Sequence, residues 1–194
     1  RAGGPTAAGR DPARAPNAVK RVEIPVADFQ AEAFRVWDSG WFLLTAGDFA
    51  AGRFNTMTVS WGSFGTIWNR PFAQVVVRPT RHTQGFMDAY ASFTLCAFAE
   101  ERREALRLLG TKSGRDGDKI AESGLTPAAA LRVAAPVFAE AVLSIECRKL
   151  YWQDLDPAHF LDPAIEANYP RRDYHRAYFG EVVAIAAAPG WPGS

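Results

Sequence analysis

Residues 53–83 read RFNTMTVSWGSFGTIWNRPFAQVVVRPTRHT, and the fold turns on how this stretch divides. Its first part, Phe54 to Trp68, is rich in Thr, Ser, Gly and Trp. Its second, Phe72 to Val77, is an apolar, β-branched run of the kind that forms a buried strand. That run stops at Arg78-Pro79-Thr80-Arg81-His82-Thr83, which gathers two guanidiniums and two threonine hydroxyls into six residues. A buried strand that ends in such a cluster points to an anion site carried on a sheet.

Working outward, Met57–Trp61 reads as a second strand, with Gly62-Ser63-Phe64-Gly65 as a bend between the two and Asn69-Arg70-Pro71 as a turn. Trp41–Thr45 and Phe93–Phe98 are further strands. Val137–Trp152 and His175–Ala186 are longer β-patterned runs. The apolar spacing in residues 28–38 predicts a helix stopped by Gly40. Thr83–Ala91 predicts a helical turn or two with Thr83 as N-cap, and Glu100–Leu109 the clearest helix, ended by Gly110. Ile120–Gly124 and Asp156–Asn168 also read as helical. Six to eight strands with three or four short helices, not alternating regularly, argue against a doubly wound parallel sheet. They predict a mainly β fold, an antiparallel Greek-key barrel with short helices.

The chain has 194 residues, 48% hydrophobic and 22% charged, which fits one domain with a sizeable core. Residues 1–20 read as a flexible N-terminal arm of Gly, Ala, Pro and Arg, and 21–194 as the single domain. A net charge of +1 gives no reason to expect nucleic acid, and no apolar stretch reaches membrane-spanning length. Cys96 and Cys147 sit in apolar runs without metal-ligand spacing, so they read as buried thiols, in keeping with a cytoplasmic compartment. The histidines show no HxxxH or HExxH spacing. No GxSxG, phosphate-binding P-loop or GxGxxG is present.

What remains is an anion joined to an aromatic ring. Arg78 and Arg81 can each grip a phosphate with two donors, with Thr80 and Thr83 adding hydroxyls, or they can make surface ion pairs. Asn55–Gly62 can hydrogen-bond the edge of a planar heterocycle, or can be an ordinary strand with Trp61 in the core.

At this point the sequence resembles a known family. Asn55-Thr56-Met57-Thr58, Trp61-Gly62-Ser63 and Val77–Thr83 are similar to the flavin reductase-like FMN-binding split barrels, and most to their flavoredoxin subgroup. Ser113-Gly114-Arg115-Asp116 with Lys119 and Gly124-Leu125-Thr126 resembles a family loop. His175 followed by Gly180 and Val182 resembles the last barrel strand. The resemblance runs over roughly residues 28–188.

It implies FMN as cofactor and a homodimer with the flavin in a groove near the interface. Arg81 and Thr83, with Arg78, Pro79 and Thr80 beside them, would hold the phosphate and ribityl chain, with Ser113, Gly114 and Lys119 approaching the same end. Asn55, Thr56, Met57 and Thr58 would line the ring, and Trp61 and Gly62 the same wall. His175 would stand near the open flavin face as a candidate for positioning the electron donor or exchanging a proton, or else in a structural hydrogen bond. The activity implied is an NAD(P)H-dependent flavin oxidoreductase, with NADH or NADPH as donor and a redox partner or monooxygenase component downstream. The alternative is a flavoredoxin-like electron carrier that keeps its FMN and has no direct NAD(P)H activity. A barrel-type binding module without flavin is the third reading.

Overall fold

The computed structural model describes residues 17–191; most of the arm expected at residues 1–20 lies outside them. Ten strands form. They are β1 (Val22–Ile24), β2 (Phe42–Asp48), β3 (Arg53–Val59), β4 (Gly62–Ile67), β5 (Arg70–Val77), β6 (Ser92–Ala97), β7 (Pro127–Ala128), β8 (Val137–Phe138), β9 (Leu143–Asp154) and β10 (Arg176–Ala187). The helices are α1 (His82–Ala89), α2 (Arg103–Thr111) and α3 (Lys119–Ser123).

The main sheet is antiparallel and runs β3-β2-β6-β9-β10-β5-β4, with β1 added on β10. Its two end strands are consecutive in sequence, joined only by Ser60 and Trp61. The sheet must therefore curl until its ends meet, which makes the antiparallel barrel that the strand pattern predicts, of the split type that the resemblance implies. Among the described residues β3 pairs only with β2, so one edge of β3 stays open.

β2 explains why the chain closes in this way. Successive side chains on a strand point to opposite faces. Phe42, Leu44 and Ala46 enter the barrel core with Met57, Val59, Val75, Phe93, Ile145 and Tyr178. Leu43 turns outward and meets Leu106 and Leu109 of α2, with Leu125 and Phe138. With both faces covered, β2 reads as a continuous apolar run.

Several expectations change. Residues 62–65 are the strand β4, and the reversal comes later, at Trp68 and Asn69. Both have positive φ (52° and 57°), the geometry of a two-residue hairpin turn. Gly62 is small for packing: a Cβ there would lie 2.5 Å from the Trp37 ring and from Gln74 O. Residues 28–38 form no long helix. One turn, Val36–Gly40, buries Trp37 while Phe34 stays 91% exposed, so no continuous apolar stripe exists to hold a helix. Residues 156–168 split into tight turns at Pro157–His159 and Pro163–Asn168, capped by Asp156 and Asp162. Gly110 lies inside α2, where its bare Cα lets the helix approach Thr58. Trp191 packs against the core and donates to Gln30 O at 3.1 Å.

Replacing Gly62 by Ala should lower stability by about 1–3 kcal/mol, because the new methyl overlaps Trp37 and backbone that cannot both yield. Denaturant unfolding checks this, and an unchanged midpoint would remove Gly62 from the packing of Trp37.

Candidate functional site

A small polar cavity of about 70 Å³ opens where three segments converge. β3 supplies Asn55 and Met57, and the turn into α1 supplies Thr80–Thr83. The last residue of α2 and the loop after it supply Thr111–Gly114, with Lys119 of α3 behind them. No carboxylate lines this space, yet Arg81, Lys112 and Lys119 do; Lys112 is paired with Glu122, which leaves Arg81 and Lys119 without a carboxylate partner. Lys119 is buried (3% exposed), and its Nζ donates to Leu109 O at 3.1 Å and Lys112 O at 3.0 Å. The Arg81 guanidinium donates to Gly110 O. These carbonyls belong to the carboxyl end of α2, which carries the negative end of the helix dipole.

An ammonium has three N–H donors and a guanidinium five, so both cations keep donors free for an anion. Burial pulls Lys119 down to about 8, and the nearby Arg81 charge adds to the effect. Arg81 is lowered by burial and then by Arg78. His82 is lowered by burial, then by Arg115 and Lys119.

The floor of the cavity is tightly built. Asn55 Nδ2 donates to Thr83 Oγ1 at 2.8 Å, so Thr83 serves this bridge and does not cap α1, which starts one residue earlier. Gly114 passes so close that a Cβ would stand 2.5 Å from Asn55 Oδ1. Backbone can approach a ligand there where a side chain could not.

Beyond Met57 lies a wider slot of about 240 Å³, lined by Met57–Trp61 on one side and Val76, Arg78 and His175 on the other. Met57 borders both recesses, so they lie side by side along β3. Trp61 is 46% exposed, with its ring 5.2 Å from that of His175. His175 Nδ1 lies 2.9 Å from the Tyr169 hydroxyl. Burial, then the positive charge of Arg78, lowers His175 to about 4, with Asp173 opposing.

The structure thus gathers Asn55, Met57, Thr80, Arg81, Thr83, Ser113, Gly114 and Lys119 at the cavity. It puts Met57, Thr58, Trp61, Arg78 and His175 at the slot. Three expected residues line neither: Thr56, Gly62 and Pro79. The Thr56 hydroxyl faces away from the groove, accepts from Thr45 Oγ1 at 2.9 Å and donates to Leu44 O at 3.0 Å. Arg78 was expected beside Arg81 on a phosphate. It instead pairs with Asp173 at 2.9 Å, donates to Asn168 O at 2.8 Å and lies over the Tyr169 ring. Thr58 lines the slot, but its hydroxyl is turned to α2, donating to Leu106 O at 2.5 Å.

His82, Thr111 and Lys112 at the cavity, and Tyr169 and Asp173 behind His175, were not expected. His82 lies inside the motif quoted above, and its position between Arg81 and Thr83 was the available signal.

The sequence matches the family model of the flavin reductase like domain over residues 35–190. The chain belongs to the flavin reductase-like family. A comparison with curated proteins finds no match. Among solved structures, the fold is similar to an FMN-binding domain of a flavin reductases-like enzyme from Shewanella baltica. The TM-score is 0.63 at 17% identity, covering 88% of this chain and 78% of that one. It is also similar to the flavoredoxin of Desulfovibrio vulgaris (0.60, 20% identity, 83% and 77% covered). The NADH:FAD oxidoreductase of Streptomyces globisporus is a further similar structure (0.58, 17% identity, 77% and 76%). Flavoredoxin is thus among the similar folds, in line with the subgroup named from the sequence. Among the described residues no helix is long and apolar enough to cross a membrane.

The cofactor of the family can be tested against these residues. A phosphate monoester needs buried donors and no competing carboxylate, and the cavity of this flavin reductase-like chain offers both. The volume, roughly two waters' share, suits a phosphate head and not a ring. The donor set therefore fits FMN.

His175 should titrate near pH 4 in an NMR titration of its imidazole. An unfolded histidine titrates near 6.5, so on acidification the unfolded chain takes the proton first. This group leaves stability intact above about pH 6.5 and removes it as the pH falls from there through about 4. His175→Gln should lose that part of the acid destabilisation in denaturant unfolding.

Proposed function

We propose that this chain binds FMN along the β3 groove and acts as an NAD(P)H-dependent flavin oxidoreductase. One observation carries the reading: a carboxylate-free cationic cavity and a larger slot share Met57 as a common wall, so a phosphate end and a ring end would lie next to each other along β3. Arg81 and Lys119 would hold the phosphate, with Thr80, Thr83, Ser113 and Gly114 closing around it. Met57 and Thr58 would lie along the ring, and Trp61 and His175 would border its outer end. When bound, the flavin supplies the one- and two-electron chemistry. The protein binds, orients and excludes water. His175 is neutral at pH 7 and is suited to a hydrogen bond with a donor or acceptor molecule, not to carrying charge.

The second reading is a flavoredoxin-like carrier with tightly held FMN and no direct NAD(P)H activity. It is favoured by the absence from the sequence of a dinucleotide-binding motif. We take the protein to be a homodimer that passes electrons to a redox partner or monooxygenase component. The exposed Trp68, Tyr151 and Trp152 are the first surface to test for contact with a second copy.

The visible spectrum of the purified protein, before and after anaerobic NADH or NADPH, separates the two readings. Rapid bleaching by either nucleotide supports the oxidoreductase. A retained flavin that neither reduces supports the carrier. Failure to take up FMN at all overturns both.

Two further outcomes are expected. Arg81→Ala should cost roughly 1.5–3 kcal/mol of FMN affinity, about ten- to a hundredfold in Kd. Arg78→Ala should cost far less, because Arg78 faces Asp173. FMN titrations of both variants check the contrast.

FMN affinity should also fall as the pH rises through about 8. The ammonium of Lys119 begins to lose its proton there, while the phosphate is already a dianion. Riboflavin, which lacks the phosphate, should show no such decline.

A further inference from the structure

His175 is held from every side. Its backbone carbonyl accepts from Leu155 N at 2.9 Å. Its ring lies between Trp61, at 5.2 Å, and Tyr169, at 5.5 Å edge to face. Tyr169 is held in turn. It is 4% exposed, Phe160 stacks on it at 6.0 Å, and Arg78, anchored by Asp173 and Asn168 O, lies 5.0 Å over its ring. The phenol therefore cannot swing away from Nδ1, 2.9 Å distant.

A hydroxyl has one proton and two lone pairs. Among the described residues the hydroxyl has no bonded partner other than Nδ1, so its proton goes there. A neutral imidazole carries one N–H. With Nδ1 accepting, the proton resides on Nε2, which bonds to no protein group among the described residues while His175 lines the slot.

We infer that Tyr169 is a positioning residue that locks His175 as the neutral Nε2–H tautomer, so that the slot presents a hydrogen-bond donor beside the exposed ring of Trp61. The charged and titratable groups facing His175 are Arg78 at the end of β5 and Asp173 and Tyr169 before β10. Arg78 and Asp173 neutralise each other as an ion pair. A donor in such a slot fits a planar ring bearing a neutral carbonyl oxygen, such as a carboxamide. This ligand class rests on the oxidoreductase reading above; the tautomer does not.

The test is a long-range 1H–15N correlation spectrum of the flavin-free protein at pH 7. The expected result is a protonated, pyrrole-type Nε2 and a pyridine-type Nδ1 for His175; the opposite assignment overturns the lock. In Tyr169→Phe the ring packing stays and the hydroxyl goes. Both nitrogen signals should move toward the average of exchanging tautomers, and the imidazole midpoint should rise above that of the wild type. An unchanged spectrum would overturn the positioning role. If the variant does not fold, the wild-type assignment still decides.

In the flavin-loaded protein, nicotinamide as a carboxamide probe should shift the Nε2–H resonance. An intact tautomer with no such shift rejects the ligand class. A protein that takes up no FMN rejects the oxidoreductase reading and leaves the tautomer result standing.

Discussion

Arg81 and Lys119 are held at the end of α2 by backbone carbonyls and not by carboxylates, and the groove depends on this choice. A carboxylate would cancel a cation and use its donors. The carbonyls of Leu109, Gly110 and Lys112 hold each cation in place while leaving the net charge positive and several donors free. Burying charge without full compensation is unfavourable, which is why the pKa of Lys119 is pulled down. An incoming anion removes that penalty.

For this arrangement to face β3, α2 must be seated on the barrel. Leu106 and Leu109 reach the outer face of β2 through Leu43, the same strand whose other face fills the barrel. Thr58 ties the helix to β3 through Leu106 O, and Gly110 lets the two backbones close together. The cation cavity and the strand edge are thus parts of one rigid unit. Thr58 acts on the site through the helix as much as through the groove wall it lines.

Much of this was legible in the sequence where the residues are close along the chain. The run Phe72–Val77 and the cluster after it lie on one strand and one turn, and the Ser113–Lys119 loop reaches the same cavity as a second short segment. Contacts across long separations were not legible. Asp173 lies 95 residues from Arg78, and nothing local to either shows that one will neutralise the other. The role of Gly62 depends on Trp37, which arrives from a turn whose apolar spacing mimics a helix. The Thr56 side chain lines neither recess for a simpler reason. Its hydroxyl is taken up across the β2–β3 pair by Thr45 and Leu44 O.

The two ends of the groove follow opposite electrostatic rules, and this has a consequence for any flavin bound there. At one end buried positive charge is left uncompensated. At the other Arg78 is paired with Asp173 and His175 is neutral. For such a flavin, binding free energy would be concentrated on a phosphate that takes no part in electron transfer. Interactions at such a remote, non-reacting group can hold a reactive ring in place without charged groups crowding it. The ring end is then shaped by neutral surfaces: the Trp61 indole, the Met57 side chain and the His175 imidazole. On the proposed function, discrimination among electron donors and acceptors at that end would rest on shape and on single hydrogen bonds, where one proton on one nitrogen of His175 would decide whether a carbonyl is met by a donor or by a lone pair.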